Sequence, residues 1–189
     1  MIRITAISGS LRNGSLNQRT LDVLCRCVTD AGALVSTLDL GALDIPLYHA
    51  DEEAADGQPP GVSRLREALQ EAHGLIIACP EYNGFMTPLL LNAINWATRS
   101  SEGRPDLSPF SNKIVLIASA SPGGFGGMRA AGHLRTMLSG IGCIVLPQSF
   151  AVPGAANAFA EDGGFASEDQ NRRATQVVER LLEVAGKFV

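Results

Sequence analysis

Residues 2–17 read IRITAISGSLRNGSLN and join an apolar run, Ile2–Ile7, to a loop of small polar residues. The run has the length and the β-branched content of a buried strand. Beyond the loop, apolar side chains recur at helical spacing, at Leu21, Leu24, Cys25 and Val28. The stretch therefore predicts a strand, a loop and a helix in succession, which is the repeating unit of an α/β fold.

The same alternation continues along the chain. Strand-length apolar runs recur at Val35–Leu40 (the weakest), Leu75–Cys79, Ile114–Ala118 and Cys143–Leu146. Helical patterns follow them at residues 65–72, 88–98, 134–141 and 177–185. Near-continuous apolar strands are typical of a parallel sheet that is covered on both faces. We predict one α/β domain over residues 1–189: a flavodoxin-like, doubly wound sheet of five parallel strands in the order 2-1-3-4-5, with helices on both faces.

The composition limits the possible functions. The chain has 189 residues, a net charge of −4 and 46% apolar residues, which is typical of a folded protein and not of a disordered one. It contains no basic block, so no nucleic-acid partner is expected. Apolar runs stay well short of the roughly 18 residues of a membrane span. The N-terminus resembles a strand and not a signal peptide, and we expect a cytoplasmic protein without a membrane partner.

The four cysteines are expected to be reduced thiols. Cys25 and Cys27 lie two residues apart on a predicted helix and point to different sides, whereas Cys79 and Cys143 lie in predicted strands. Their spacing lacks the paired pattern of a zinc site, and no metal is expected.

In a sheet of this kind, ligands bind beyond the carboxyl ends of the strands. Three loops follow strands there and are called loop 1 (Gly9–Asn17), loop 2 (Pro80–Pro88) and loop 3 (Ser119–Gly127). Loop 1 combines hydroxyls, amides and Arg12 with the N-terminus of a helix, which suits a phosphate group. No Lys-Ser or Lys-Thr pair follows its glycines, so it is not a P-loop. The alternative is an ordinary strand–helix turn.

Loop 2 reads PEYNGFMTP at 80–88 and offers Glu81, Asn83 and the flat ring of Tyr82 to a planar heterocycle. The alternative is an irregular, solvated loop. The helix that follows is apolar around most of its circumference, which predicts burial on more than one side. Either a second copy of the chain or residues 148–166 would cover its outer side.

Loop 3 contains SPGGFGG at 121–127, and its four glycines would let the backbone approach a ligand closely. Backbone N–H groups there can face a carbonyl or a ring nitrogen that becomes negative. The spacing does not match the dinucleotide-binding fingerprint. The alternative is a flexible glycine linker.

Taken together, four motifs resemble the NAD(P)H-dependent FMN reductase family, which includes flavodoxin-like quinone, azo-dye and chromate reductases. The motifs are GSLRNGSLN at 9–17, PEYNG at 80–84, LxNAIxW at 90–96 and SPGGFGG at 121–127. They occur in the family's order, each in its expected place, and a tail at 159–169 is similar to the family's closing segment.

The resemblance implies a set of FMN-binding residues. Those implied for the phosphate are Ser10, Arg12, Ser15, Asn17 and the backbone of Leu16. Those implied for the isoalloxazine and ribityl region are Pro80, Glu81, Tyr82, Asn83 and Gly84. Those implied for the pyrimidine side of the ring are Ser121, Pro122, Gly123 and Gly124. No protein group is expected to act as a nucleophile, acid or base, because FMN would carry the chemistry.

The implied activity is transfer of two electrons from NADPH or NADH through FMN to a quinone, an azo compound or a similar small-molecule acceptor. A homodimer or homotetramer is the expected assembly. Two alternatives remain open. One is an electron-transfer flavodoxin without its own pyridine-nucleotide turnover, and the other is a binding module that keeps the fold without flavin.

Overall fold

The computed structural model describes residues 1–188, so Val189, the last residue of the predicted domain, lies outside the described residues. The strands are β1 (Arg3–Ser8), β2 (Leu34–Leu38), β3 (Gly74–Ala78), β4 (Ile114–Ala120), β5 (Ile144–Val145) and β6 (Phe150–Val152). The helices are α1 (Leu16–Asp30), α2 (Ala50–Asp56), α3 (Pro60–Glu71), α4 (Pro88–Ala97), α5 (Met128–Gly140) and α6 (Glu168–Ala185). Two short 3₁₀ turns occupy Ala155–Asn157 and Gly186–Phe188.

The sheet is parallel and its strand order is β2-β1-β3-β4-β5, which confirms the predicted topology. A sixth strand, which the sequence did not predict, extends the same edge, since both β5 and β6 pair with β4. Pro147, which has no N–H to donate, lies in the interruption between them. Arg135 of α5 donates to the carbonyl oxygens of Leu146 and Pro147, at 2.6 and 3.2 Å, and so satisfies groups that lack a strand partner.

Apolar side chains fill both faces of the sheet. Helices α1 and α6 cover one face and contribute Leu24, Val28, Val178 and Leu181 to its core. Helices α3, α4 and α5 cover the other face. Since the central strands are buried on both sides, polar loops are confined to the sheet's two ends.

The outer side of α4 is covered by residues 46–48 and not by residues 148–166, so that alternative for its burial is wrong. The Trp96 indole is 2% exposed, and its N–H donates to the carbonyl oxygen of Pro46 at 2.8 Å. The Tyr48 ring meets it edge-on at 5.0 Å between centroids. Residues 46–48 lie in a segment without helix or strand, so periodicity alone could not identify them as the cover.

The short helix α2, which the sequence did not predict, is joined to the end of α4 by a buried ion pair. The carboxylate of Glu53, 4% exposed, accepts from Arg99 Nε at 3.0 Å and from the Tyr48 hydroxyl at 3.1 Å. Hydrogen bonds from Arg99 lower the pKa of the Glu53 carboxyl, although burial opposes them. No helix within residues 1–188 is both long and apolar enough to cross a bilayer.

Candidate functional site

Loops 1, 2 and 3 follow three adjacent strands, β1, β3 and β4, and therefore lie together at the carboxyl end of the sheet. The strand order reverses beside β1, which has β2 on one side and β3 on the other. A crevice at such a reversal is the usual ligand position in an open α/β sheet. The predicted site residues thus come from three separate parts of the sequence and share one edge of the fold.

Loop 1 has the donors that a phosphate requires. Ser15 is the N-cap of α1, and its Oγ accepts from the N–H of Gln18 at 3.3 Å. The N–H groups of Leu16 and Asn17 donate to no acceptor within the described residues. Arg12 is exposed, and its guanidinium has no hydrogen-bond or ion-pair partner in residues 1–188. Loop 1 is thus capped as an ordinary strand–helix turn would be, and the cap leaves these donors available to a ligand.

The Asn17 side chain, which the resemblance assigned to the phosphate, makes another contact. Its Nδ2 donates to the carbonyl oxygen of Ala120 at 2.9 Å, and its Oδ1 accepts from the N–H of Ala120 at 3.0 Å. The residue is only 5% exposed. The side-chain amide of Asn17 is therefore engaged within the fold, whereas its backbone N–H has no acceptor among residues 1–188.

Loop 2 forms a tight two-residue turn and not an irregular loop. Tyr82 and Phe85 exchange both backbone hydrogen bonds, at 2.9 and 3.0 Å. Asn83 and Gly84 between them have φ of 53° and 82°, the left-handed conformation that a type I′ turn requires. The turn leaves the side chains of Tyr82 and Phe85 54% and 42% exposed at this edge of the sheet.

Glu81 was predicted to line the ligand, but its carboxylate caps α5. Its Oε2 accepts from the N–H groups of Arg129 and Ala130, at 3.1 and 3.3 Å, and its Oε1 accepts from Arg129 Nε at 2.8 Å. Burial raises the pKa of the Glu81 carboxyl, but these hydrogen bonds outweigh burial and hold the pKa below its ordinary value. The carboxylate therefore joins loop 2 to the start of α5, where loop 3 ends.

Loop 3 contains glycines of two kinds. Gly126 and Gly127 have positive φ, and a Cβ on Gly126 would lie 2.9 Å from the backbone N of Pro153, so packing requires them. A Cβ on Gly124 would meet nothing within 4 Å, and one on Gly123 would meet only Ser121 Oγ, at 3.7 Å. Gly123 and Gly124, with Pro122, are exposed at the sheet edge, where a ligand can approach them.

Loop 3 is anchored at its start, so it is not a flexible linker. The N–H of Ser121 donates to Val152 O at 3.2 Å, and its carbonyl accepts from Ala155 at 2.9 Å. Beyond it, the N–H groups of Gly123 and Gly124 have no acceptor in the part of the chain that the structure describes. Two unpaired donors on a fixed turn suit the carbonyl and nitrogen atoms of a heterocycle edge.

Sequence reasoning missed Thr87, Phe125 and Met128. Thr87 caps α4, and Thr before Pro at a helix start was an available signal. Phe125 and Met128 are 71% and 60% exposed, which periodicity did not reveal. Together with Tyr82 and Phe85 they give the edge several exposed apolar side chains.

The histidines and cysteines lie mostly away from these loops. His73 Nδ1 accepts from the N–H of Arg3 at 3.1 Å, at the opposite end of the sheet. His133 is the exception, since its ring contacts Phe85 at 4.7 Å between centroids. The four cysteines are free thiols, and burial raises the pKa of Cys79 and Cys143 to about 12. Among residues 1–188, His, Cys, Asp and Glu side chains form no group of three placed to hold a metal ion.

The strand order and the three loops at the strand reversal define a flavodoxin-like α/β protein. The sequence model of the NADPH-dependent FMN reductase family matches residues 2–157, and the chain belongs to that family. The chain is therefore an oxidoreductase, and its family uses FMN and NAD(P)H as redox groups.

Individual relatives agree with the family. The chain is 37% identical over 189 residues to an NAD(P)H-dependent FMN reductase of Pseudomonas aeruginosa, covering 100% of this chain and 95% of that one. It is 37% identical over 148 residues to a quinone reductase of Escherichia coli, covering 77% and 73% of the two chains. The solved structure of a flavoenzyme NAD(P)H:acceptor oxidoreductase from Paracoccus denitrificans superposes with a TM-score of 0.82 at 26% identity, covering 99% and 98%.

The residues present fit FMN. The free N–H groups of Leu16 and Asn17 and the unpaired Arg12 match a doubly charged terminal phosphate. The open backbone at Gly123 and Gly124 leaves space beside the sheet where a ring edge can reach two N–H donors. A Cβ on Gly124 would have no heavy atom within 4 Å apart from those of its two chain neighbours.

Proposed function

We propose that this protein transfers two electrons from NADPH or NADH, through FMN bound at loops 1–3, to a quinone, an azo compound or a similar small-molecule acceptor. The observation that carries the proposal is the meeting of an anion-binding loop and an open glycine turn at one strand reversal. FMN supplies hydride and electron chemistry when bound. The protein's residues therefore need only to bind, orient and shield.

We propose the following roles for the site residues. Arg12 and Ser10 hold the phosphate with the hydroxyl of Ser15 and the N–H groups of Leu16 and Asn17. The turn of loop 2, from Pro80 to Gly84, lies along the ribityl chain and the ring, with Tyr82 presenting its face. In loop 3, Ser121 and Pro122 shape the turn, and Gly123 and Gly124 donate to the pyrimidine side.

The candidates for binding the 2′-phosphate of NADPH are Arg12, Arg99, Arg104 and Arg129, and their positions relative to loops 1–3 differ. Arg99 is paired with Glu53 and follows α4, about 15 Å from loop 2 along that helix. Arg104 lies near it and pairs with Glu102. Arg12 is assigned to FMN. Arg129, the second residue of α5, is also paired, with Glu81, but it is 67% exposed at the site edge, and we propose it as the contact that favours NADPH.

We also propose that the protein works in the cytoplasm as a homodimer or homotetramer. The exposed apolar side chains at this edge, Tyr82, Phe85, Phe125 and Met128, are compatible with a covering subunit. Size-exclusion chromatography with light scattering tests the assembly, and a monomer at micromolar concentration would contradict it.

The test of function is an anaerobic visible spectrum of the purified protein with added FMN, followed by NADPH and then a quinone. We expect bound-flavin absorption that NADPH bleaches and that the quinone restores. Bound flavin that NADPH cannot bleach would contradict the enzyme and indicate the electron carrier. A protein that binds no FMN would contradict the flavin site itself.

A further inference from the structure

Two hydrogen bonds between the Asn17 side chain and the Ala120 backbone join parts of the candidate site that are 103 residues apart in sequence. Asn17 is the last residue of loop 1 and the second residue of α1, and Ala120 is the last residue of β4, directly before the turn at Ser121–Gly124. Both are buried, at 5% and 4% exposure. Because a side-chain amide presents one donor and one acceptor in the geometry of a peptide group, Asn17 can pair with a backbone as a strand would.

Asn17 completes an edge of β4 that β3 leaves unpaired. The last pair of β3 and β4 is Ala78 with Ala118, and the N–H of Cys79 still reaches Ala118 O at 2.8 Å. Pro80 then ends the ladder, since proline has no N–H. Ser121 directs its N–H to β6, so by alternation Ala120 faces the opposite side, where β3 has ended. The Asn17 amide occupies that position.

We propose that Asn17 is a positioning residue, which sets the placement of the loop 3 turn relative to the phosphate cradle of loop 1. The proposal rests on the proposed flavin site. FMN binds at its two ends to these two loops, so their separation must match the length of the cofactor. Without the Asn17 amide, Ala120 would have no partner on the β3 side. The turn that carries the N–H groups of Gly123 and Gly124 would then be held from the β6 side alone, by the bonds of Ser121 and Gly123 to residues 152–155.

The test compares FMN with riboflavin, which lacks the phosphate, for the wild type and for Asn17→Ala, Asn17→Asp and Arg12→Ala. We expect Asn17→Ala to weaken the binding of both flavins by a similar factor, roughly tenfold, since two hydrogen bonds are lost and relaxation of the turn regains part of their contribution. Asn17→Asp keeps the acceptor for the Ala120 N–H but opposes its carbonyl, so it is expected to be no better than Asn17→Ala. Arg12→Ala is expected to weaken FMN alone.

A loss confined to FMN in Asn17→Ala would show an amide that binds phosphate, and would overturn the proposal. Unchanged affinity for both flavins would overturn it as well. If the wild type binds neither flavin, the proposed function fails together with this inference, which is a separate and recognisable outcome.

The midpoint potential of bound FMN separates positioning from a purely structural role and needs no riboflavin binding. Reduction places negative charge on the pyrimidine side of the ring, where the loop 3 N–H groups would stabilise it. We expect a more negative potential in Asn17→Ala than in the wild type, and an unchanged potential in Arg12→Ala. A lowered melting temperature with an unchanged potential would show that Asn17 stabilises the fold only, and would overturn the proposal.

Discussion

The hydroxyl of Thr87 donates a hydrogen bond to the carbonyl oxygen of Gly9 at 2.8 Å, and so joins the start of α4 to loop 1. Thr87 Oγ1 also accepts from the N–H of Leu90 at 3.4 Å and so caps the helix. The two loops also pack closely at Gly9, since a Cβ there would lie 2.9 Å from Pro80 Cδ. Loops 1 and 2 therefore pack directly against each other, and the Thr87 hydroxyl links loop 1 to the start of α4.

Thr87→Val is nearly isosteric and removes both hydrogen bonds of that hydroxyl. We expect the free energy of unfolding to fall by about 1–2 kcal/mol, because α4 loses its cap and the buried carbonyl oxygen of Gly9 loses its donor. FMN affinity should fall as well, since loop 1 loses its support. Urea denaturation and calorimetric titration measure the two effects. Thr87→Ser, which retains the hydroxyl, is the control, and an equal loss in both variants would contradict the assignment.

Arg12→Ala removes an exposed guanidinium that has no partner within the described residues. We expect FMN binding to weaken by roughly 10- to 100-fold, the effect of one charge-assisted hydrogen bond of about 1.5–3 kcal/mol. Stability should be unchanged, because the side chain is exposed and its guanidinium pairs with no group in residues 1–188. Arg64→Ala on α3 removes the same charge away from loops 1–3 and serves as the control. Equal FMN affinity in the two variants would remove Arg12 from the phosphate cradle.

The two kinds of glycine in loop 3 predict opposite effects of the same substitution. Gly126→Ala places a Cβ 2.9 Å from the backbone of Pro153 at a φ of 59°, and we expect a loss of about 1–3 kcal/mol in stability. Gly124→Ala meets nothing within 4 Å, so stability should be retained while FMN affinity falls. Thermal melts without flavin and flavin titrations distinguish them. A Gly124→Ala protein that binds FMN normally would show that the ring does not approach this turn.

Glu53→Gln tests the buried ion pair and its pH dependence. The pKa of Glu53 is lowered in the folded state, so the pair stabilises the protein fully above the ordinary carboxyl pKa of about 4.3, and this stability is lost as pH falls through the lowered value. We expect Glu53→Gln to be less stable by about 1–3 kcal/mol at pH 7, because Arg99 keeps only neutral acceptors. The difference from wild type should shrink below about pH 4.

Denaturation curves at several pH values check this expectation. Glu102→Gln is the matched control, since Glu102 pairs with Arg104 at 3.6 Å on the surface, where such pairs contribute little. A constant difference between Glu53→Gln and wild type from pH 3 to pH 7 would contradict the role of the ionised carboxylate.

The sequence was sufficient to predict the strand order, because buried parallel strands are continuous apolar runs and their helices follow a visible stripe. It was also sufficient to place loops 1–3 at one edge, since successive parallel strands end on the same side. It did not reveal β6, because three residues after a proline carry no periodicity. Nor did it reveal the cover on Trp96, because a contact across 50 residues leaves no local pattern.

Within the candidate site, the types of the residues follow from the sequence but their partners do not. Motif reading assigned the polar groups of Asn17 and Glu81 to a ligand, since both lie in loops rich in binding residues. The fold directs these groups to Ala120 and to the N-terminus of α5. A hydrogen bond between distant segments depends on where each strand ends, and only the tertiary structure decides that. The sequence by itself therefore determined which loops form the site, and the packing of the loops decided which side chains hold them together.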